Sequence, residues 1–357
     1  MSEPTGDQPR ISLYDHAVRL HTRHPDGPLP GEGKPYPDEA RYKARPRRSD
    51  NRDRRRDGAD VAEALDRHFA APDADPAALA VVLDGFDAPI HLNDHITAAA
   101  LRADHDRVQA TGRWLVRYGT GRDAVVVGLA LLAADWDPDD IPLIRTIGLL
   151  SNTFGSLAAD ALKRRRGGSE ALVWLGDRVA GWGRVYVVEA LCAWGSGSAR
   201  DWLLRKACDG DPLNGYFAGE VATAAHLHEA ITAPEADDEL VDHTGRLLRI
   251  MAASRGMGLT LADYPPARLV LEAHARHLSN QEPAVRRYQY AAEVANAVFE
   301  DGAGLAEADR DRIVAGYLST LDRDEWCAVA QADASEDDPD WWGWFLDFKT
   351  VPLRAFP

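Results

Sequence analysis

Residues 121–134 read GRDAVVVGLALLAA: a glycine and two charged residues, then eleven positions without a charge. The three valines are embedded in an Ala/Leu-rich run with turns at both ends, so the stretch reads as a helix packed on both sides rather than a strand. Gly121, at its head, has counterparts at Gly155, Gly183 and Gly215, at intervals of 34, 28 and 32 residues, each at or just inside the start of an apolar helix. A second, shorter helical pattern fits into every interval. This is the spacing of stacked helix pairs, in which one pair cannot bury its apolar face until a neighbour stacks on it.

Working outward, the pattern predicts paired helices over residues 123–134 and 141–150, 154–163 and 170–180, 184–194 and 199–208, and 216–231 and 235–254. Pro138 falls in the first turn of its helix, where a missing N–H costs nothing. Helices are predicted upstream over 61–69, 75–83, 87–104 (starting near Asn93) and 105–118. Beyond residue 254 the spacing loosens, with helices over 267–278, 285–299, 307–321 and 325–331. Three regions follow. Residues 1–58 are expected to be a flexible Pro/Arg-rich segment with one short amphipathic helix over residues 11–21, because Pro25, Pro28, Pro30, Pro35 and Pro37 after it resist regular structure. Its basic block (Arg41, Lys43, Arg45, Arg47, Arg48, Arg52, Arg54, Arg55, Arg56) is expected to be a solvated linker or to lie on the protein's own acidic surface, with contact to nucleic acid or an acidic partner as the second reading. Residues 59–332 form the helical repeats, clearest over 120–255. Residues 333–357 form an acidic linker and an aromatic cap carrying Trp341, Trp342, Trp344, Phe345 and Phe348, which covers the apolar end of the stack.

The 357-residue chain is 45% hydrophobic and carries a formal net charge of -16, which favours solubility and disfavours a general affinity for phosphate backbones or anionic lipid. Cys192, Cys208 and Cys327 form no Cys-x-x-Cys pair, and are expected as buried thiols in a reducing compartment. MSEPTGDQPR at the start lacks the basic-then-apolar pattern of a signal peptide. No run approaches a membrane span. A cytoplasmic protein without membrane contact is expected.

The starts Gly121-Arg122-Asp123-Ala124-Val125, Gly155-Ser156-Leu157-Ala158 and Gly183-Arg184-Val185-Tyr186-Val187 echo one another. With Pro142 and Ser198-Ala199-Arg200-Asp201 as partial matches, the middle of the chain resembles the HEAT-like and armadillo-like α-helical repeats. The resemblance covers roughly residues 120–255, and 60–330 if degenerate units are allowed. It implies an all-α, right-handed curved α-solenoid and a protein-binding role. A few helical-repeat proteins are DNA glycosylases that cradle a duplex in a basic groove, and this supplies the alternative.

Candidate chemistry is sparse. His91 and His95 stand four apart, a separation that brings two ligands onto one helix face, but the zinc-protease glutamate is missing. Surface or capping roles are therefore expected for both. Asp135, Asp137, Asp139 and Asp140 surround a helix start, where carboxylates satisfy free N–H groups. Glu189 falls in an apolar helix, so it must be paired or face a groove; it is the first candidate for a functional carboxylate, with Glu220 at the corresponding stage of the next unit. Trp136, Trp182, Arg184 and Tyr186 are expected to rim a binding surface, and Arg164, Arg165 and Arg166 to form a basic knob between helices. No phosphate loop or serine nucleophile elbow occurs. The expectation is a noncatalytic scaffold or adaptor that takes a protein partner on its concave face and needs no cofactor. A glycosylase-like DNA-repair enzyme and a metal-dependent hydrolase are the alternatives.

Overall fold

The computed structural model describes residues 10–45, 54–254, 256–336 and 339–357. Among them are twenty α-helices and no β-strand, so the fold is all-α. None of these helices is long and apolar enough to cross a membrane. The chain divides into two compact units, Met1–Ala199 and Arg200–Pro357, a division that the glycine spacing does not mark.

The first unit holds α1 (Leu13–Arg23), α2 (Glu39–Lys43), α3 (Ala59–Ala70), α4 (Pro76–Leu83), α5 (Asp94–Arg102), α6 (His105–Tyr118), α7 (Arg122–Ala133), α8 (Ile141–Gly148), α9 (Ser151–Leu162), α10 (Gly168–Gly176) and α11 (Gly181–Trp194). Packing alternates. One layer stacks α3, α5, α7, α9 and α11 in order; the other stacks α4, α6, α8 and α10. Successive members of the two layers pack as hairpins, α6 with α7, α8 with α9, α10 with α11. This explains residues 121–134: α7 has α5, α6 and α9 around it, and every residue from Arg122 to Leu132 is buried. Acidic and amide caps set the starts. Asp75 accepts from Ala77 N–H, Asp104 from Arg107 N–H, and Asn93 from both His95 and Ile96.

The amino-terminal segment departs from expectation. Residues 10–45 are packed, not flexible. Helix α1, capped by Ser12, buries Leu13 and Ala17 against α6 and α8. Leu29 and Tyr36 are buried further along. Asp38, 3% exposed, accepts the Arg122 N–H at 2.8 Å and its guanidinium at 2.9 Å, and that guanidinium lies 3.7 Å over the Tyr42 ring. Arg41 donates to Thr120 O and pairs with Asp84; Arg45 pairs with Asp123. The segment thus runs past the turns that open α7, α9 and α11, and its prolines lower the entropy lost on ordering. Arg41 and Arg45 of the basic block are held internally; Arg47, Arg48 and Arg52 lie outside the described residues.

The second unit follows α12 (Ser196–Lys206), which carries the boundary, with α13 (Ala218–Ala224), α14 (Leu227–Thr232), α15 (Asp238–Ala253), α16 (Ala267–Leu278), α17 (Val285–Asp301), α18 (Glu307–Leu321), α19 (Asp324–Glu336) and α20 (Pro339–Phe348). The same alternation recurs, α13, α15, α17 and α19 in one layer and α14, α16 and α18 in the other. The helix predicted over 216–231 is broken at His226, whose φ of 51° ends α13 and starts α14. At the carboxy end Trp342 and Phe345 are buried, with Trp342 beside Tyr288 and the Trp341 indole donating to Glu293 of α17. Trp344 and Phe348 are exposed. Of the acidic segment 333–340, residues 337 and 338 lie outside the described residues.

Two outcomes follow from these buried polar groups. Asp38→Ala leaves the Arg122 guanidinium buried with only Glu39 beside it, and is expected to cost about 3–5 kcal/mol in urea denaturation. His274, fully buried on α16 with Nδ1 2.9 Å from Tyr317 Oη, has its pKa pushed down to about 4 by burial. The unfolded chain takes up that proton near pH 6.5 and the fold does not, so stability falls as pH drops from 6.5 towards 4. Between pH 6.5 and 5 this contributes a loss of roughly 2 kcal/mol. A His274→Leu variant, followed by denaturation at both pH values, is expected to lack that component.

Candidate functional site

Helices α9 and α11 approach closely because glycine faces glycine. A Cβ on Gly155 would stand 3.4 Å from Gly183 Cα, and one on Gly183 would stand 2.3 Å from Ser151 Cβ. Beside this crossing lies a cleft of about 380 Å³. On α11 the positions not fully buried include Trp182, Tyr186, Glu189 and Ala193, the i, i+4, i+7, i+11 stripe of one helix face. Across from it α9 and the turn after it supply Ser156, Asp160 and Lys163 at the matching spacing. His91 comes from the loop before α5 and closes one end.

The cleft has an aromatic side and a polar side. Trp182, 40% exposed, stacks on Tyr186 with ring centroids 6.0 Å apart and planes at 27°. The His91 ring stands edge-on to Tyr186 at 5.6 Å, and its Nδ1 lies 2.8 Å from Ser156 Oγ. Burial raises the Tyr186 pKa, and the charge of Glu189 adds to the rise, so the phenol keeps its proton. Asp160 and Lys163 form an ion pair on the α9 wall. The arrangement offers stacking area, a hydroxyl–imidazole pair and carboxylates within one small concavity, which suits recognition of a polar segment with an apolar or aromatic body.

Of the residues singled out from the sequence, Tyr186, Glu189 and His91 line this cleft, and Trp182 stacks on Tyr186 beside it. Glu189 is exposed at the rim. Others are elsewhere. Trp136 is 57% exposed on the loop after α7, and Glu220 is exposed on α13 in the second unit. Arg164 lies 4.8 Å over the Trp194 ring, and Arg166 is exposed.

Two arginines are corrected. The Arg165 side chain has no exposed surface; it donates to Leu132 O and Asp137 O at 2.9 Å, and to Ala161 O. Arg184 is 7% exposed and donates to Gly176 O at 2.8 Å. Both satisfy carbonyls left over at helix C-termini, those of α7 and α10, and neither belongs to a surface knob or rim. The two histidines are not placed as ligands of one site. Helix α5 starts at Asp94, so His91 precedes it, and His95 Nε2 is 2.9 Å from Arg55 O. The two imidazoles serve different partners. Among the described residues no group of three or more His, Cys, Asp or Glu is placed to hold a metal ion. Asp135 and Asp137 do hold a helix start, receiving N–H groups of Asp137 and Asp139, while Asp140 pairs with Arg113.

Ser156, Asp160 and Lys163 were not read from the sequence. Their signal was a polar stripe at 153, 156, 160 and 163, running from the first turn of α9 to the residue just past its end. No family model matches the chain, and neither a curated protein nor a solved structure matches it.

The glycine crossing predicts an asymmetry. Gly183→Ala forces the Ser151 wall away and is expected to lower stability by about 1–3 kcal/mol. Gly155→Ala meets only ordinary contacts, and the helix propensity gained offsets them to within about 1 kcal/mol. Chemical denaturation of the two variants side by side checks the order.

Proposed function

We propose that this chain is a noncatalytic binding module of the HEAT-like or armadillo-like kind, and that it receives a segment of a protein partner in the cleft between α9 and α11. The single observation behind this reading is the exposed Trp182–Tyr186 stack beside a cleft whose opposite wall is polar. Rigid aromatic anchors next to polar groups are the residues that most often dominate protein interfaces, and their presentation on paired helices fixes them before the partner arrives. The alternating two-layer packing within each unit supports a repeat architecture, for which a curved right-handed solenoid is the proposed form. A cytoplasmic adaptor fits this reading.

The catalytic alternatives find less support. A groove for duplex DNA needs a continuous positive wall, and Arg165 and Arg184 are engaged by backbone carbonyls instead. The His91–Ser156 pair resembles half of a hydrolytic centre. Ser156, however, lies in the body of α9, where surrounding N–H groups serve the helix and do not converge on an oxyanion.

The test is selection of a displayed random peptide library on the whole protein. Enriched peptides are expected to bind with micromolar affinity and to lose about 30-fold or more in Trp182→Ala or Tyr186→Ala. Peptides that bind both variants as tightly as the parent would place recognition elsewhere. Hydrolysis of activated esters that disappears in Ser156→Ala would replace the binding reading with a catalytic one.

A further inference from the structure

In the second unit α20 carries aromatic residues on two sides. Trp342 and Phe345 are buried. Trp344 and Phe348, one helical turn apart, are 53% and 64% exposed, with ring centroids 6.0 Å from each other. Both line a hollow of about 400 Å³ bounded by α15, α17 and α20. Ala252 and Ala253 of α15 and Ala297 of α17 contribute only small side chains to its walls, which leaves the room.

Charges of both signs surround this hollow. Arg249 and Glu293 answer each other at 3.3 Å, and Glu293 also accepts the Trp341 indole, so neither is on offer to a partner. Asn296 is occupied by the backbone N–H groups of Thr350 and Val351. Lys349 and Glu300 are different. The Lys349 ammonium makes neither a hydrogen bond nor an ion pair among the described residues. Glu300 accepts from the Thr350 hydroxyl at 3.0 Å and pairs with no cation there. Asp301 adds a second carboxylate to the same rim. Two opposite charges thus line one small hollow without pairing inside the chain.

Neighbouring rings left in water and rimmed by polar groups are the pattern of an interaction surface. Its composition selects the partner. A contact across a two-fold axis joins the same patch on two copies, so the patch must carry its own complement. That requires a projection together with a hollow, and a cation together with an anion. All four are present on α17, α20 and the residue after α20; a partner of another sequence would require only one member of each pair. We propose that two copies of this chain dimerise through this patch. Trp344 and Phe348 of each copy enter the hollow of the other, and Lys349 of each meets Glu300 of the other. The proposal is independent of the reading of the α9–α11 cleft.

Sedimentation equilibrium of the full chain between about 1 and about 200 µM tests it, with a rise from the mass of one chain to that of two expected in the micromolar range. Trp344→Ser and Phe348→Ser are each expected to weaken the dimer about tenfold or more. Both side chains are more than half exposed, so these variants keep the fold. Val81→Ser, which removes a side chain 75% exposed on α4, is expected to dimerise as the parent does. Lys349→Glu and Glu300→Lys each set like charges against one another across the axis and are expected to weaken the dimer; the double variant, with the charges exchanged, is expected to regain it. A one-chain mass at every concentration overturns the proposal and leaves the patch to a partner of different sequence. A dimer unchanged by Trp344→Ser and Phe348→Ser, or one that the exchanged variant does not regain, overturns it as well.

Discussion

Short helices create a shortage of hydrogen-bond donors, and this chain meets it with arginine. Each helix leaves four carbonyls without an intrahelical partner, and stacking many short helices buries a good part of them. Arg107 reaches Phe69 O and Ala71 O at the end of α3, Arg165 reaches Leu132 O on α7, and Arg184 reaches Gly176 O on α10. In the second unit Arg200 serves Ala225 O, Arg246 serves Cys208 O, Arg323 serves Ser279 O and Arg354 serves Asp322 O. The planar fork suits the task, since one guanidinium can answer several carbonyls at once and its charge complements the negative helix end. Where the helix end is buried, as at Leu132 O and Gly176 O, the contact supplies the partner that water cannot.

The cleft depends on the same stacking. Glycines at 155 and 183 bring α9 and α11 together at one point, and the space lined by Ser156, Tyr186 and Glu189 lies beside it. The repeat that builds the core thereby also builds the concavity. The aromatic stack is anchored on a helix instead of a loop, which fixes its geometry.

Much of the architecture was legible because helix-helix packing writes itself into local pattern. The unbroken apolar run of α7 announced burial on several sides, and Asn93 announced the start of α5. The exposed stripe of α11 was legible in part, since Trp182, Tyr186 and Glu189 recur at helical spacing. What was hidden depends on residues far apart in the chain. Asp38 finds Arg122 and His91 finds Ser156 across long separations, and no periodicity encodes such pairs. Past the helix legible over residues 11–21, the amino-terminal segment looked unstructured for the same reason, its anchors being few, scattered and satisfied by distant partners. Arg165 and Arg184 misled because a basic residue beside a turn reads the same whether it faces water or a neighbouring helix end.

Capping by arginine has an electrostatic consequence beyond the core. Arginine donors turned inward to meet carbonyl oxygens, as on Arg165 with no exposed side-chain surface, are withdrawn from any ligand at the surface. Long-range attraction follows net charge, and with 57 acidic residues against 41 basic ones it favours cationic molecules and disfavours polyanions, both effects fading as ionic strength rises. The device that closes the helix ends thus also leaves fewer cationic donors for an anion that does arrive.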